Sequence, residues 1–240
     1  MNIKQGKEDM ALNMLNISDN LKKRIISSVI LLPIAISIVL LGGVIYNMFM
    51  LVIAVLMAFE WCNLTKRDND IYGVSSANRW IVVGIVYIVS GILSMIYLRD
   101  LESGQINILF VLFTVWATDI SAYFVGRTIG GPKIWPAISP KKTWSGLVGG
   151  MLAAGLVNVV IGLFYNHPIY IMMLFGAFLA VISQVGDFFE SWVKRHFNVK
   201  DSGTILPGHG GVLDRVDGLV TVAPLVAIVT FMNNGIMPLW

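Results

Sequence analysis

Long apolar runs recur along the chain, and charged residues, glycine or proline separate each run from the next. A bilayer core about 30 Å thick requires about 20 apolar residues in a helix. Windows of that length predict about seven membrane-spanning helices, with the least defined boundary at Gly42-Gly43 and a count of about six to eight. The predicted spans cover residues 25–44, 46–64, 80–98, 106–126, 146–165, 168–186 and 218–236.

The composition strengthens this interpretation. The 240 residues are 56% hydrophobic and only 13% charged, whereas soluble domains carry about 25% charged residues. The alternating segments of about ten residues that build membrane β-barrels are missing from the sequence. The predicted fold class is therefore all-α, a polytopic integral membrane helical bundle. Residues 1–24 form a polar N-terminal segment with features of an interfacial helix, and residues 25–240 form a single transmembrane domain.

The distribution of basic residues predicts the orientation of the bundle, because short cytoplasmic loops hold an excess of Lys and Arg. With a cytoplasmic N-terminus, all 17 Lys and Arg residues except Arg99 fall on the cytoplasmic side. Topology and anionic lipid then explain the formal net charge of +3, and nucleic-acid binding is not expected. Two long polar connections, 127–145 and 187–217, lie on that side and hold the candidate functional residues.

Two pairs of acids with i, i+3 spacing stand at the membrane boundary: Asp187 with Glu190, and Asp214 with Asp217. On a helix this spacing places both carboxylates on one face, where they repel each other unless a cation lies between them. Mg²⁺ suits such ligands, since it binds one or two carboxylates together with substrate phosphates. The alternative is an interfacial network in which the acids pair with Lys194, Arg195 and Arg215.

One stretch in each polar connection is a candidate phosphate site. Residues 207–211 read P-G-H-G-G, and their glycines allow backbone N–H groups to approach an anion. The alternative is a plain turn between helices, and the surrounding carboxylates favour the phosphate site. In this stretch His209 either donates to phosphate or caps a carbonyl. In the other connection, Lys141 and Lys142 stand among hydroxyl side chains, and the alternative there is ordinary loop charge.

Several further residues have two interpretations each. Asp119, near the end of the fourth predicted span, either pairs with Arg127 or reaches the site. Glu60 is expected to act as a simple interfacial anchor. Gly146 and Gly150 form a small-xxx-small pair, which is more typical of helix packing than of a specific dimer contact.

The residues match a known family over much of the chain. Residues 191–217 contain S-x-x-K-R, K-D, H-G-G and D-R-x-D in one spaced series. This series resembles the C-terminal motif of the phosphatidate cytidylyltransferases, or CDP-diacylglycerol synthases. Residues 184–190, the segment 119–123 and the S-P-K-K-T block at 139–143 extend the resemblance upstream.

The resemblance implies transfer of a cytidylyl group from CTP to phosphatidic acid, giving CDP-diacylglycerol and pyrophosphate with Mg²⁺ required. It implies an integral protein of a bacterial inner (plasma) membrane with its active site facing the cytoplasm. A second cation and the oligomeric state, with a homodimer as one option, stay open. The implied catalytic residues are Asp187, Lys194, Arg195, Asp214, Arg215 and Asp217, with Asp187, Asp214 and Asp217 as metal ligands. The implied substrate-binding residues are Asp119, Ser139, Lys141, Lys142, Thr143, Lys200, Asp201, His209, Gly210 and Gly211.

Three rival functions remain for comparison. A CTP-dependent polyprenol or phytol kinase would share the membrane setting but transfer the γ-phosphoryl group. A CDP-alcohol phosphotransferase is disfavoured because the D-G-x-x-A-R run of that class is absent from the sequence. A transporter is disfavoured because the predicted outer loops hold few polar groups and no span carries ionisable groups through the midplane.

Overall fold

The computed structural model describes residues 30, 32–72, 74–205 and 210–234, and the side chains of residues 67–77 are not described. The predicted N-terminal segment 1–24 and His209 lie outside these residues. Within them, the chain forms seven helices and one two-stranded hairpin. In chain order these are α1 (Leu32–Leu41), α2 (Gly43–Tyr72), α3 (Val74–Asp100), α4 (Gly104–Thr128), β1 (Lys133–Trp135), β2 (Ser139–Thr143), α5 (Trp144–Leu163), α6 (Ile169–His196) and α7 (Leu213–Met232).

Six of these helices, α2 to α7, are long and apolar enough to cross a bilayer. This confirms the predicted all-α polytopic membrane bundle. Of the predicted first span, the structure describes residue 30 and the short helix α1, which at 1.5 Å per residue covers about 15 Å. Gly42, with a φ of +65°, ends α1, and Arg99 Nε donates to Val39 O at 2.9 Å. Arg99, the one basic residue predicted to lie outside the cytoplasm, therefore binds the C-terminal end of α1.

Packing between α4 and α5 depends on small residues. A Cβ atom added at Gly146 would lie 2.7 Å from Ala122 O, and one added at Gly150 would lie 3.1 Å from Thr118 O. The two backbones therefore approach each other closely, as is typical of small-residue packing in membranes. The packing role predicted for this glycine pair is confirmed within the chain.

Hydropathy misplaces one boundary of four helices. α6 continues beyond residue 186 to His196, α7 begins at Leu213 instead of 218, α2 continues to Tyr72, and α3 begins at Val74 instead of 80. The additional turns carry charged residues, which a search for apolar windows excludes. Because successive helices alternate in direction, the last turns of α4 and α6 and the first turns of α5 and α7 share one end of the bundle. Both long polar connections lie at that end.

The hairpin β1–β2 occupies the first of these connections. Its strands are antiparallel, with Lys133 opposite Thr143 and Trp135 opposite Ser139. Gly130 and Gly131 precede it with φ angles of +68° and +101°, a region of backbone space that favours glycine. The hairpin leads directly into α5 and carries the S-P-K-K-T block to the edge of the bundle.

Candidate active site

A cavity of about 640 Å³ opens where the hairpin meets α4, α5 and α6. Two acids, Asp119 and Asp187, line it together with a larger number of basic side chains. Several cations in one cleft raise the local concentration of a polyanionic ligand. The basic residues of the lining are Arg127, Lys133, Lys141 and Lys142.

An ion pair between Lys142 and Asp187 joins the hairpin to α6 inside this cavity. Lys142 Nζ lies 2.5 Å from Asp187 Oδ2, and the two side chains are 16% and 33% exposed. Ser191 Oγ donates to Asp187 Oδ1 at 3.4 Å, and Lys142 Nζ lies 4.7 Å from the centre of the Phe188 ring. The structure thus places residues from both polar connections in one site.

The start of α5 fixes the position of Lys142. Thr143 is the N-cap of this helix, and its hydroxyl accepts a hydrogen bond from Gly146 N at 3.1 Å. Such a cap satisfies one of the free N–H groups of the first helical turn. Lys142 directly precedes the capping residue, so its backbone is held between the hairpin and the helix.

Lys194 forms a second, more buried network between α6 and α7. Its Nζ donates to Glu190 Oε2 at 3.0 Å and to Asp214 Oδ1 at 2.7 Å. Asp214 Oδ2 also accepts from Ser202 N at 3.0 Å and from Gly211 N at 2.8 Å. Asp214 therefore holds both ends of the segment 202–211 against the bundle.

Asp217 stands deeper on α7, beside the cavity acids. Its Oδ1 accepts from the backbone N–H of Gly218 at 2.8 Å. Asp187 and Asp119 are close enough to interact with it electrostatically, and Lys142 supplies the opposing charge. Three carboxyl groups, those of Asp119, Asp187 and Asp217, therefore interact with the ammonium group of Lys142.

The structure places Asp119 at the cavity. Arg127 Nη1 donates to Tyr123 Oη at 2.6 Å, so this arginine binds the phenol of its own helix. Asp119 lines the cavity and interacts electrostatically with Asp187 and Lys142. Its location fits the interpretation in which it reaches the site, and its part in substrate binding stays a prediction.

The two predicted acid pairs do not each share one cation. Asp187 binds Lys142, whereas Glu190, three residues further along α6, binds Lys194. Asp214 also binds Lys194, so this lysine bridges one acid from each predicted pair. In the structure these three acids therefore pair with basic side chains, as the alternative interpretation expected. The partner of Asp187 is Lys142, which the spacing of the acids did not indicate.

Other predicted site residues surround this centre at the surface. Arg195 Nε donates to Ile138 O at 3.4 Å and its Nη1 to Val199 O at 3.0 Å, which joins α6 to the hairpin. Gly210 has a φ of +85°, as expected for a glycine-dependent turn. Lys200, Asp201 and Arg215 are exposed, and Ser139 is half-buried in β2.

Glu60 is the residue that sequence reasoning misjudged. The expectation of an interfacial anchor is wrong, because its side chain is 1% exposed. Its carboxylate accepts from Val212 N and Leu213 N, both at 2.9 Å, at the start of α7. The only signal in the sequence was a carboxylate within an apolar span, which is a functional candidate by default.

A protein-only metal cage is not present in the described part of the chain, since no three Asp, Glu, His or Cys side chains there gather closely enough. The predicted set of Asp187, Asp214 and Asp217 is not a ready-made site, because Asp214 is held by Lys194 and two amides. Asp187 and Asp217 still suit Mg²⁺, which commonly binds one or two carboxylates and completes its shell with phosphate oxygens and water. The requirement for Mg²⁺ stays a prediction.

The fold and the site together define a polytopic integral membrane protein with a cationic cavity at one membrane boundary. The sequence profile of the cytidylyltransferase family matches residues 76–232. The chain belongs to this family, as the resemblance in the motifs indicates.

Its relatives extend beyond that region. A phosphatidate cytidylyltransferase of Rickettsia bellii is 36% identical over 245 aligned positions, covering 98% of this chain and 99% of the relative. One from Brucella abortus is 36% identical over 248 positions, covering 86% of this chain and 92% of the relative. One from Rickettsia typhi is 36% identical over 215 positions. The similarity thus includes the N-terminal spans, where no motif was recognised.

Proposed function

We propose that this enzyme transfers the cytidylyl group of CTP to phosphatidic acid, forming CDP-diacylglycerol and pyrophosphate. The observation that carries the proposal is the Lys142–Asp187 pair, which combines both polar connections in one cationic cavity at the membrane boundary. Family membership and the names of the relatives agree with it. The site faces the cytoplasm, where CTP is available, and the phospholipid enters from the inner leaflet of the bacterial plasma membrane.

The reaction is an in-line displacement at the α-phosphorus of CTP. A phosphate oxygen of phosphatidic acid forms the new P–O bond, the bond between the α-phosphorus and the bridging oxygen breaks, and pyrophosphate leaves with that electron pair. The nucleophile is already anionic, so no base is needed to remove a proton. Catalysis therefore rests on positioning and on neutralising charge.

Basic residues of the cavity neutralise the phosphates. Lys142 contacts Asp187 directly, and its neighbour in β2, Lys141, lines the same cavity. The exposed residues Arg195, Lys200 and Arg215 attract the nucleotide from the cytoplasm.

Asp187 and Asp217 are the residues that would hold Mg²⁺, with Asp119 adding negative charge to the same cluster. The ion, when bound, neutralises charge on the phosphates and helps to orient them. Asp214 has protein partners for both of its oxygens, so we assign it to loop positioning instead of metal binding. This assignment differs from the one that the motif implied.

Product identification tests the proposal. Purified protein in detergent or vesicles is incubated with CTP labelled at the α-phosphorus, phosphatidic acid and Mg²⁺. We expect the label in CDP-diacylglycerol and an equal amount of pyrophosphate. Omitting phosphatidic acid is the control, and it should stop CTP consumption.

The same assay separates the rival functions. A CTP-dependent lipid kinase would give labelled CDP and a newly phosphorylated lipid when polyprenol or phytol is supplied. Ion or solute flux into vesicles without CTP turnover would favour a transporter. Either result, without CDP-diacylglycerol, contradicts the proposed function.

A further inference from the structure

Glu60 is a buried carboxylate of α2 that contacts a segment about 150 residues away along the chain. Val212 N and Leu213 N donate to its two oxygens at 2.9 Å each, and Ser202 Oγ lies 3.2 Å from Oε2. The carboxylate therefore binds residues that follow and precede the glycine turn at Gly210 and Gly211.

The first turn of α7 explains why an acid suits this position. Val212 is the N-cap of α7 and has no side-chain cap hydrogen bond of its own. The free N–H groups at a helix N-terminus carry partial positive charge, and an anion there is stabilised by hydrogen bonds and by the helix dipole. Glu60 supplies from another helix the cap that the local sequence does not provide.

The glycines around Glu60 fit closely against its carboxylate. A Cβ atom added at Gly203 would lie 2.6 Å from Glu60 Oε1, and one added at Gly211 would lie 2.6 Å from Oε2. Gly203 and Gly211 thus both lie against the acid. Asp214 Oδ2, in turn, binds the backbone N–H groups of Ser202 and Gly211. Two carboxylates from different helices therefore hold Ser202 and residues 211–213.

We propose that Glu60 is a positioning residue of the nucleotide site. It holds residues 202–203 and 211–213, and thereby fixes the exposed Lys200 and Arg215 that flank them in the arrangement that binds the phosphates of CTP. Glu60 acts through these residues and contacts no substrate itself. The inference rests on the proposed function, since the site that it positions is the CTP site.

The test compares Glu60→Gln with Tyr46→Phe. Tyr46 also lies on α2, is 1% exposed and donates a buried hydrogen bond to Met95 O at 3.2 Å, away from the site. Glu60→Gln keeps the shape of the side chain but replaces one acceptor oxygen with an NH₂ group that faces a backbone N–H. Since small displacements of binding groups cost about a hundredfold in rate, we expect kcat/KM for CTP to fall by about tenfold to a hundredfold.

The division between KM and kcat separates positioning from general destabilisation. A destabilised enzyme loses active molecules, which lowers apparent kcat and leaves KM unchanged. We expect Glu60→Gln to raise KM for CTP with little change in KM for phosphatidic acid. We also expect faster hydrogen exchange in peptides covering residues 210–213, whereas Tyr46→Phe should change neither quantity. Kinetics and exchange like those of Tyr46→Phe would overturn the proposal.

A milder variant covers the case in which Glu60→Gln does not fold. Ser202→Ala removes only the hydroxyl contact to Glu60, so a smaller rise in KM for CTP supports the proposal and an unchanged KM contradicts it. Absence of CTP turnover in the wild-type protein would instead contradict the proposed function. The exchange comparison between wild type and Glu60→Gln would then still report on the positioning of the segment.

Discussion

At the scale of single residues, Asp187 and Asp214 differ in the partners that surround them. Asp187 is one-third exposed, lines the cavity and contacts Lys142 and a serine hydroxyl. Asp214 is almost fully enclosed by Lys194 and two backbone N–H groups. A carboxylate that opens to a cavity can exchange its lysine for a metal ion and phosphates. A carboxylate that holds two backbone groups cannot do so without releasing a loop.

Paired substitutions at these two positions test this distinction. We expect Asp187→Asn to lower kcat by about a hundredfold, as the loss of one preorganised charge commonly does, and to raise the Mg²⁺ concentration that gives half-maximal activity. Asp214→Asn should lower the free energy of unfolding by about 1–3 kcal/mol, because Lys194 loses a charged partner. The residual activity of Asp214→Asn should keep the Mg²⁺ dependence of the wild type. Magnesium titrations of activity measure the Mg²⁺ dependence, and unfolding in detergent measures the stability. A shifted magnesium titration for Asp214→Asn would contradict this distinction and indicate that Asp214 is a metal ligand.

Residue patterns in the sequence predicted most of this centre, because the acids and lysines lie in short motifs. The partners within the centre were not predictable from spacing. Asp187 contacts a lysine on the hairpin, and Glu60 contacts Val212, 152 residues away along the chain. Such contacts depend on how the helices pack, which local sequence does not encode.

At the scale of elements, the contact between α4 and α5 sets the position of the hairpin and its lysines. Gly146 lies one turn after the Thr143 cap, and Ala122 of α4 lines the same cavity. Hydropathy predicted both helices, since each contains a long apolar run. It could not predict the hairpin between them, whose short strands follow glycines with positive φ and are too polar to show a strand pattern.

Alanine substitutions at the two interface glycines give a graded test of this contact. The nearest atom to an added Cβ is Ala122 O at 2.7 Å for Gly146 and Thr118 O at 3.1 Å for Gly150. Overpacking of this kind costs about 1–3 kcal/mol. We expect Gly146→Ala to lower the unfolding temperature more than Gly150→Ala and to reduce activity, because it also displaces the start of α5. An equal or reversed order in thermal unfolding would contradict the packing described for α4 and α5.

At the scale of the whole molecule, the alternation of six long helices places both polar connections at one end of the bundle. Their common end follows from the structure, whereas its cytoplasmic orientation rests on the charge distribution. The two arguments are independent, because the fold does not depend on which side of the membrane the lysines face. An orientation that placed the cavity outside would separate it from cytoplasmic CTP and would contradict the proposed function.

Single cysteines report this orientation directly. Cys62 is the only cysteine and is exposed, so Cys62→Ser provides a background without thiols. In that background, Glu102→Cys and Asn166→Cys mark one end of the bundle, and Lys133→Cys and Lys200→Cys mark the end with the cavity. All four original residues are exposed.

In bacterial cells with a permeable outer membrane, we expect a membrane-impermeable maleimide to label positions 102 and 166 in intact cells. Positions 133 and 200 should react only after the inner membrane is permeabilised, because Lys and Arg are retained on the cytoplasmic side. The opposite pattern would contradict the orientation, and labelling of 133 without 200 would contradict the shared end of the two connections.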